Sequence, residues 1–110
     1  MTKTTNKELQ NRIKAGIAFL NVVKPNWLKE IDLEKLDLSN GNTCIIGESF
    51  GNYEEGLNQL EINDIVAEKL GFCESTKDGD VDSSLPSLKP KYKALTAAWK
   101  KTLRPMLKKI

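Results

Sequence analysis

The chain has 110 residues, 39% apolar and 29% charged, as expected of one globular domain long enough to bury a core without a metal or a disulfide. It contains no histidine, so Ser-His and Cys-His nucleophile activation are excluded within these residues, and a tetrahedral zinc site would need both cysteines plus carboxylates. The formal net charge of +2 conceals a gradient: residues 1–30 balance to +4, residues 31–82 to −10 and residues 83–110 to +8.

Along the chain, Thr5-Asn6-Lys7-Glu8 reads as a capping box, with the Glu8 N–H donating to the Thr5 hydroxyl. Leu9, Ile13, Ile17, Leu20 and Val23 then recur at steps of four and three, which predicts a helix to about Val23. Pro25 ends it, because the residue before a proline is pushed out of the α region. Asn26 is placed to cap a short helix through Trp27, Leu28 and Ile31, and Asp32 to open a further turn holding Leu33 and Leu36. Residues 37–42, DLSNGN, read as a turn.

From Cys44 two readings compete. CIIG resembles a short strand, but Ile46, Phe50, Tyr53, Leu57 and Leu60 lie at steps of four, three, four and three, the stronger pattern. Gly47, Gly51 and Gly56 each weaken a helix by about 1 kcal/mol against alanine. The expectation is one helix broken near Gly51-Asn52, or two shorter ones. Asn63 is placed to cap Asp64 to Leu70, with Gly71 at the left-handed C′ position and Phe72 folding back. Residues 74–88 read as an exposed acidic loop. A last helix begins near Pro90 with Tyr92, Leu95, Trp99 and Leu103 as its apolar stripe, and Pro105 should kink or stop it.

Gly47-Glu48-Ser49-Phe50-Gly51 satisfies G-x-S-x-G, the nucleophile-elbow pattern. That elbow requires a strand-to-helix turn over a parallel sheet and a base, usually histidine; neither is available, and no lysine is placed by sequence beside Ser49. The segment reads better as a helix burying Ile46 and Phe50, with Glu48 and Ser49 facing outward. Asp78, Asp80 and Asp82 alternate as in a calcium loop, but Ser83 and Lys89 stand where glycine and glutamate are needed. Cys44 and Cys73 read as reduced core thiols. Lys93, Lys100, Lys101, Arg104, Lys108 and Lys109 make the C-terminal helix a candidate nucleic-acid surface, with Tyr92 and Trp99 at core spacing rather than free to stack on bases. Those cations can instead pair with the acidic middle. Glu48, Ser49, Glu54 and Glu55 are candidate contacts for a protein partner. The polar start predicts no secretory leader, and no apolar run reaches the ~18 residues of a membrane span.

Gly16-x-x-Phe19-Leu20, Pro25-x-Trp27, Ile31-Asp32-Leu33-x-x-Leu36-Asp37-Leu38, Cys44-Ile45-Ile46-Gly47, Phe50-Gly51-x-Tyr53, Gly71-Phe72 and Tyr92-x-x-Leu95-Thr96-x-x-Trp99 resemble a small family of uncharacterised proteins of bacteriophages, prophages and Gram-positive bacteria. In that family the residue matching Glu48 is often glutamine and the next is often apolar, so Ser49 lies outside the pattern. Glycine often stands where this chain has Asn26, and the acidic loop is longer here. The resemblance implies a phage-related context and no established activity.

The resulting expectation is an all-α single domain of about five helices, some short, with an acidic loop before a basic C-terminal helix and with residues 1–4 and 105–110 frayed. Its core should hold Ile13, Ile17, Leu20, Trp27, Ile31, Leu36, Ile46, Phe50, Tyr53, Leu57, Leu70, Phe72, Leu95 and Trp99. The functional expectation is a cytoplasmic, non-enzymatic accessory protein without cofactor or metal, which acts by binding another protein. The alternative is nucleic-acid binding through the C-terminal helix. Monomer and dimer are equally compatible with the sequence.

Overall fold

The computed structural model describes residues 6–75 and 85–108. Its first helix, α1 (Asn6–Val23), buries Leu9, Ile13 and Leu20 and lays Ile17 and Phe19 half-buried against the same core. The stripe stops short of its last predicted member, since Val23 is exposed. The capping-box residue Thr5 lies outside the described residues.

After Pro25 the chain forms a short 3-10 helix, Trp27–Glu30, that buries Trp27. The Trp27 indole N–H donates to Asn21 Oδ1 at 2.9 Å, which satisfies its one polar atom. Asn26 does not cap this turn: with φ −92° and ψ 8° it is not extended, and its side chain makes no capping bond. Residues 31–44 are held by local side-chain acceptors instead. Asp32 takes the Glu34 N–H at 3.0 Å, Asp37 the Ser39 N–H at 2.9 Å and Asn40 the Asn42 N–H at 2.8 Å. Buried Ile31, Leu36 and Leu38 fasten the segment to the core.

The apolar stripe from Ile46 to Leu60 is divided between two helices, α2 (Ile45–Phe50) and α3 (Tyr53–Leu60). Gly51 makes the break at φ +101°, and Asn52 restarts the chain by accepting the Glu55 N–H at 2.8 Å. In α4 (Asp64–Lys69) Asn63 caps as its type predicts, accepting the Val66 N–H at 3.0 Å. Gly71, at φ +77°, ends it in a Schellman motif: Gly71 N–H donates to Glu68 O at 3.0 Å and Phe72 N–H to Ala67 O at 2.9 Å.

The last helix, α5 (Lys89–Lys108), buries Tyr92, Leu95, Trp99 and Leu103. It runs through Pro105 to Lys108, so of the kink or stop expected at Pro105 the stop is not met, and the fraying expected of 105–110 is not seen over 105–108; residues 109 and 110 lie outside the described residues. Proline removes the donor to the Lys101 carbonyl, but both residues are exposed, while half-buried Met106 and Leu107 pack on the core and hold the final turn. The expectation of an exposed loop over 74–88 also fails at its ends, where Glu74 and Leu88 are buried. Residues 76–84, with the calcium-loop candidates, lie outside the described residues.

Phe72 sits at the centre, 6.4 Å from the Phe19 ring and 6.2 Å from Trp99. The Trp99 indole N–H donates to Gly71 O at 2.6 Å, tying α5 to the end of α4. Ile17, Phe50, Tyr53 and Leu70 are half-buried members of this core, while the other ten expected residues are buried. The core also takes in Leu9, Leu38, Cys44, Ile45, Ala67, Cys73, Leu88, Tyr92 and Leu103. A radius of gyration of 12.9 Å is that of a compact chain of this length. The described residues form no strand, and none of their helices is long and apolar enough to cross a membrane.

Candidate functional site

The G-x-S-x-G segment forms the later part of α2 and its C-cap, Gly51, and no strand precedes it among the described residues. The N-cap of α2 is the Cys44 thiol, whose sulfur accepts the Gly47 N–H at 3.2 Å. A Cβ at Gly47 would lie 2.2 Å from the Gly41 carbonyl oxygen, so this glycine serves the close approach of the 40–43 turn.

Glu48 and Ser49 do not face outward as expected. Ser49 is 5% exposed, and its hydroxyl has no hydrogen-bond partner among the described residues. Glu48 is half-buried, with Oε2 accepting the Asp32 N–H at 2.6 Å and Oε1 buried without a partner among the described residues. Burial pushes the Glu48 carboxyl above its usual range, with the Asp32 N–H bond and nearby Lys35 pulling the other way. The reversal has a local cause: α2 is too short to keep a solvent face, lying between the 40–43 turn, the Lys24 side chain and α3.

The fold does place a lysine beside Ser49. Lys24 Nζ donates to the Ser49 backbone carbonyl, pairs with Glu30 at 3.2 Å and lies 4.6 Å from the Phe50 ring centroid. The contact is with the carbonyl and not the hydroxyl, so Lys24 fastens the end of α1 to α2. Of the residues named as contacts for a protein partner, Glu54 and Glu55 on α3 stand exposed, and Glu48 and Ser49 are turned inward.

The basic helix gives a different picture. Lys89, Lys93, Lys101, Arg104 and Lys108 are exposed on α5 and Lys100 is half-buried; Lys109 lies outside the described residues. With 3.6 residues per turn and the core stripe on the opposite side, these six cations share one outward face about a third of the helix circumference wide. The helix contains no acid. None of the six lies within 4.0 Å of a carboxylate among the described residues, so no carboxylate of 31–75 forms an ion pair with them. Tyr92 and Trp99 are buried, Tyr92 OH donating to Glu74 O at 3.1 Å, so neither ring is available for stacking.

One flank of this face overhangs a groove of about 680 Å³ between α5 and the 34–39 turn. Lys89, Lys93 and Lys100 line one wall, and Lys35, Glu34 and Asp37 the other. The Leu38 N–H donates to Thr96 Oγ1 at 3.0 Å and pins the turn to the helix. Lys35 is a member that the sequence reading missed, because only the fold brings it to α5.

Lys91 points elsewhere, into a cleft of about 330 Å³ that it shares with Glu8, Arg12, Glu68 and Glu74. There Arg12 donates from Nε to Glu68 O and from Nη2 to Cys73 O, both at 2.8 Å, and from Nη1 to the Glu74 carboxylate. That cluster joins α1 to the end of α4. Among the described residues no group of three or more His, Cys, Asp or Glu side chains is placed to hold a metal ion. No protein-family model, curated protein or solved structure matches the chain.

Proposed function

We propose that this chain is a non-enzymatic accessory protein that binds nucleic acid through the outer face of α5. The observation that carries this reading is the set of six cations on one helix face with no ion pair among the described residues. A helix of 20 residues is about 30 Å long, and a duplex carries one phosphate per ~1.7 Å of axis, so such a face can meet several phosphates. The buried aromatics leave no stacking platform, and arginine, the better reader of base edges, is present on α5 only as Arg104. The reading is therefore of backbone contact without sequence discrimination. The resemblance to phage and prophage proteins supports a cytoplasmic, phage-related role.

The test is fluorescence anisotropy of a labelled duplex over about 50 to 200 mM salt, where a protein contacting roughly four to six phosphates loses affinity steeply. Replacing Lys101, Arg104 and Lys108 with glutamine should weaken binding and flatten the salt slope. No binding at the low-salt end by the unaltered protein overturns the reading.

Docking on a protein partner is the second reading, favoured by exposed Glu54 and Glu55 on α3 and by exposed Ile65 and Val66 on α4. A pull-down whose bands survive unchanged when Glu54 and Glu55 are reversed to lysine would remove that reading.

A further inference from the structure

We infer that the groove between the 34–39 turn and α5 is a phosphate-binding cleft, gripped from both walls. The inference rests on the nucleic-acid reading, under which the phosphate belongs to the polymer backbone. A free polyphosphate would present the same chemistry.

Four lysines, Lys35, Lys89, Lys93 and Lys100, line one concavity. None has a carboxylate within 4.0 Å among the described residues, although Glu34 and Asp37 line the same space. Like charges gathered in a concave site raise its potential and oppose folding, and a bound anion relieves both. Asp37 is occupied by its own turn, accepting the Ser39 N–H at 2.9 Å and the Ser39 hydroxyl at 2.6 Å. Glu34 is exposed, and its carboxylate has no hydrogen bond or ion pair among the described residues.

The site is also preorganised. Leu36 and Leu38 are buried, and the Leu38 N–H bond to Thr96 fixes the turn against α5. The backbone that carries Lys35 is thus held opposite the Lys93 and Lys100 wall before any ligand arrives, so only the lysine side chains remain to be ordered on binding. At about 680 Å³ the groove has the size of a small-ligand cleft and admits a phosphate with its attached sugar.

The experiment has two arms. In the first, isotope-labelled protein is titrated with inorganic pyrophosphate and followed by NMR. Shifts should gather at residues 34–39 and along the 89–100 flank of α5, and should disappear in Lys35→Gln and Lys93→Gln while persisting in Lys101→Gln. Shifts spread over all basic residues and insensitive to Lys35→Gln and Lys93→Gln overturn the cleft, even if a duplex binds.

In the second arm the ligand is a labelled duplex. Glu34→Gln should tighten binding roughly two- to fivefold, the scale of one surface charge, whereas Glu55→Gln on α3 makes the same change in net charge and should leave affinity unaltered. Equal effects of the two substitutions mean that net charge alone is read, and overturn the cleft. Pyrophosphate shifts in the groove without any duplex binding would uphold the cleft for free polyphosphate and overturn the nucleic-acid reading.

Discussion

Arg12 and Glu74 stand 62 positions apart in sequence and meet with Nη1 3.2 Å from Oε2, both side chains largely withdrawn from solvent. The same guanidinium satisfies two backbone carbonyls where α4 ends. Burial nevertheless raises the Glu74 carboxyl above its usual range against the pull of Arg12. Removing one partner of a buried pair strands the other, a loss of about 3–5 kcal/mol. Arg12→Met should fall in that range by urea denaturation at neutral pH. Glu74→Gln, which keeps an oxygen for Nη1, should cost much less. Equal losses for the two would show that the charge of Glu74, and not its shape and acceptor, carries the contact.

Local physics made much of this fold legible. The α1 and α5 stripes, the Asn63 cap, the Gly71 terminus and the break at Gly51 each depend on residues within one or two turns of one another. What was hidden depends on distant chain. Glu74 reads as loop because a polar run follows it, and its burial rests on distant partners, Arg12 on α1 and the Tyr92 hydroxyl on α5. Glu48 and Ser49 read as outward because they lie off the Ile46–Phe50 stripe, and that spacing does not show what encloses the short α2: the 40–43 turn, Lys24 and α3. Pro105 reads as a kink or a stop because the packing of Met106 and Leu107 on the core, which carries the helix on, is invisible in their spacing. Of the phosphate groove, the α5 wall was legible as a basic stripe, but Lys35 was not, since its turn reaches α5 through contacts such as Leu38 with Thr96, 58 positions apart.

Glu61 closes α3 in the left-handed region at φ 57°, with its N–H donating to Asn58 O and the Ile62 N–H to Leu57 O. A residue with a Cβ loses about 1–2 kcal/mol in that conformation, and glycine gives back part of the gain through its freer unfolded chain. Glu61→Gly should therefore stabilise the protein by about 0.5–1 kcal/mol in thermal or urea unfolding. A loss of stability would mean that the Glu61 side chain makes a compensating contribution in the folded state.

Cys44 and Cys73 are free and buried, and burial pushes their thiols up to about 11 and about 12. The thiolate is the reactive form, and an unperturbed thiol ionises near ~8.5. At mildly alkaline pH both should react with a thiol-specific disulfide reagent more than about a hundredfold slower than a free thiol. Both should label readily in urea. Rapid labelling of either in the folded protein would contradict its enclosure.

Glu48 supplies a test of the inward-turned α2. Its carboxyl is raised chiefly by burial, so the folded protein binds this proton more tightly than the unfolded chain does. The sign of the linkage follows: the group's stabilising contribution is fully present below its unfolded value, near 4.5, and is lost as pH rises through the higher folded value. Glu48→Gln keeps an oxygen for the Asp32 N–H and cannot ionise. The difference in Tm, variant minus wild type, should therefore increase from acid toward neutral pH. Other carboxylates, Glu74 among them, titrate in both proteins and largely cancel in this difference. A difference that is flat with pH would place the Glu48 carboxylate in solvent, on the outward face that its sequence position suggests.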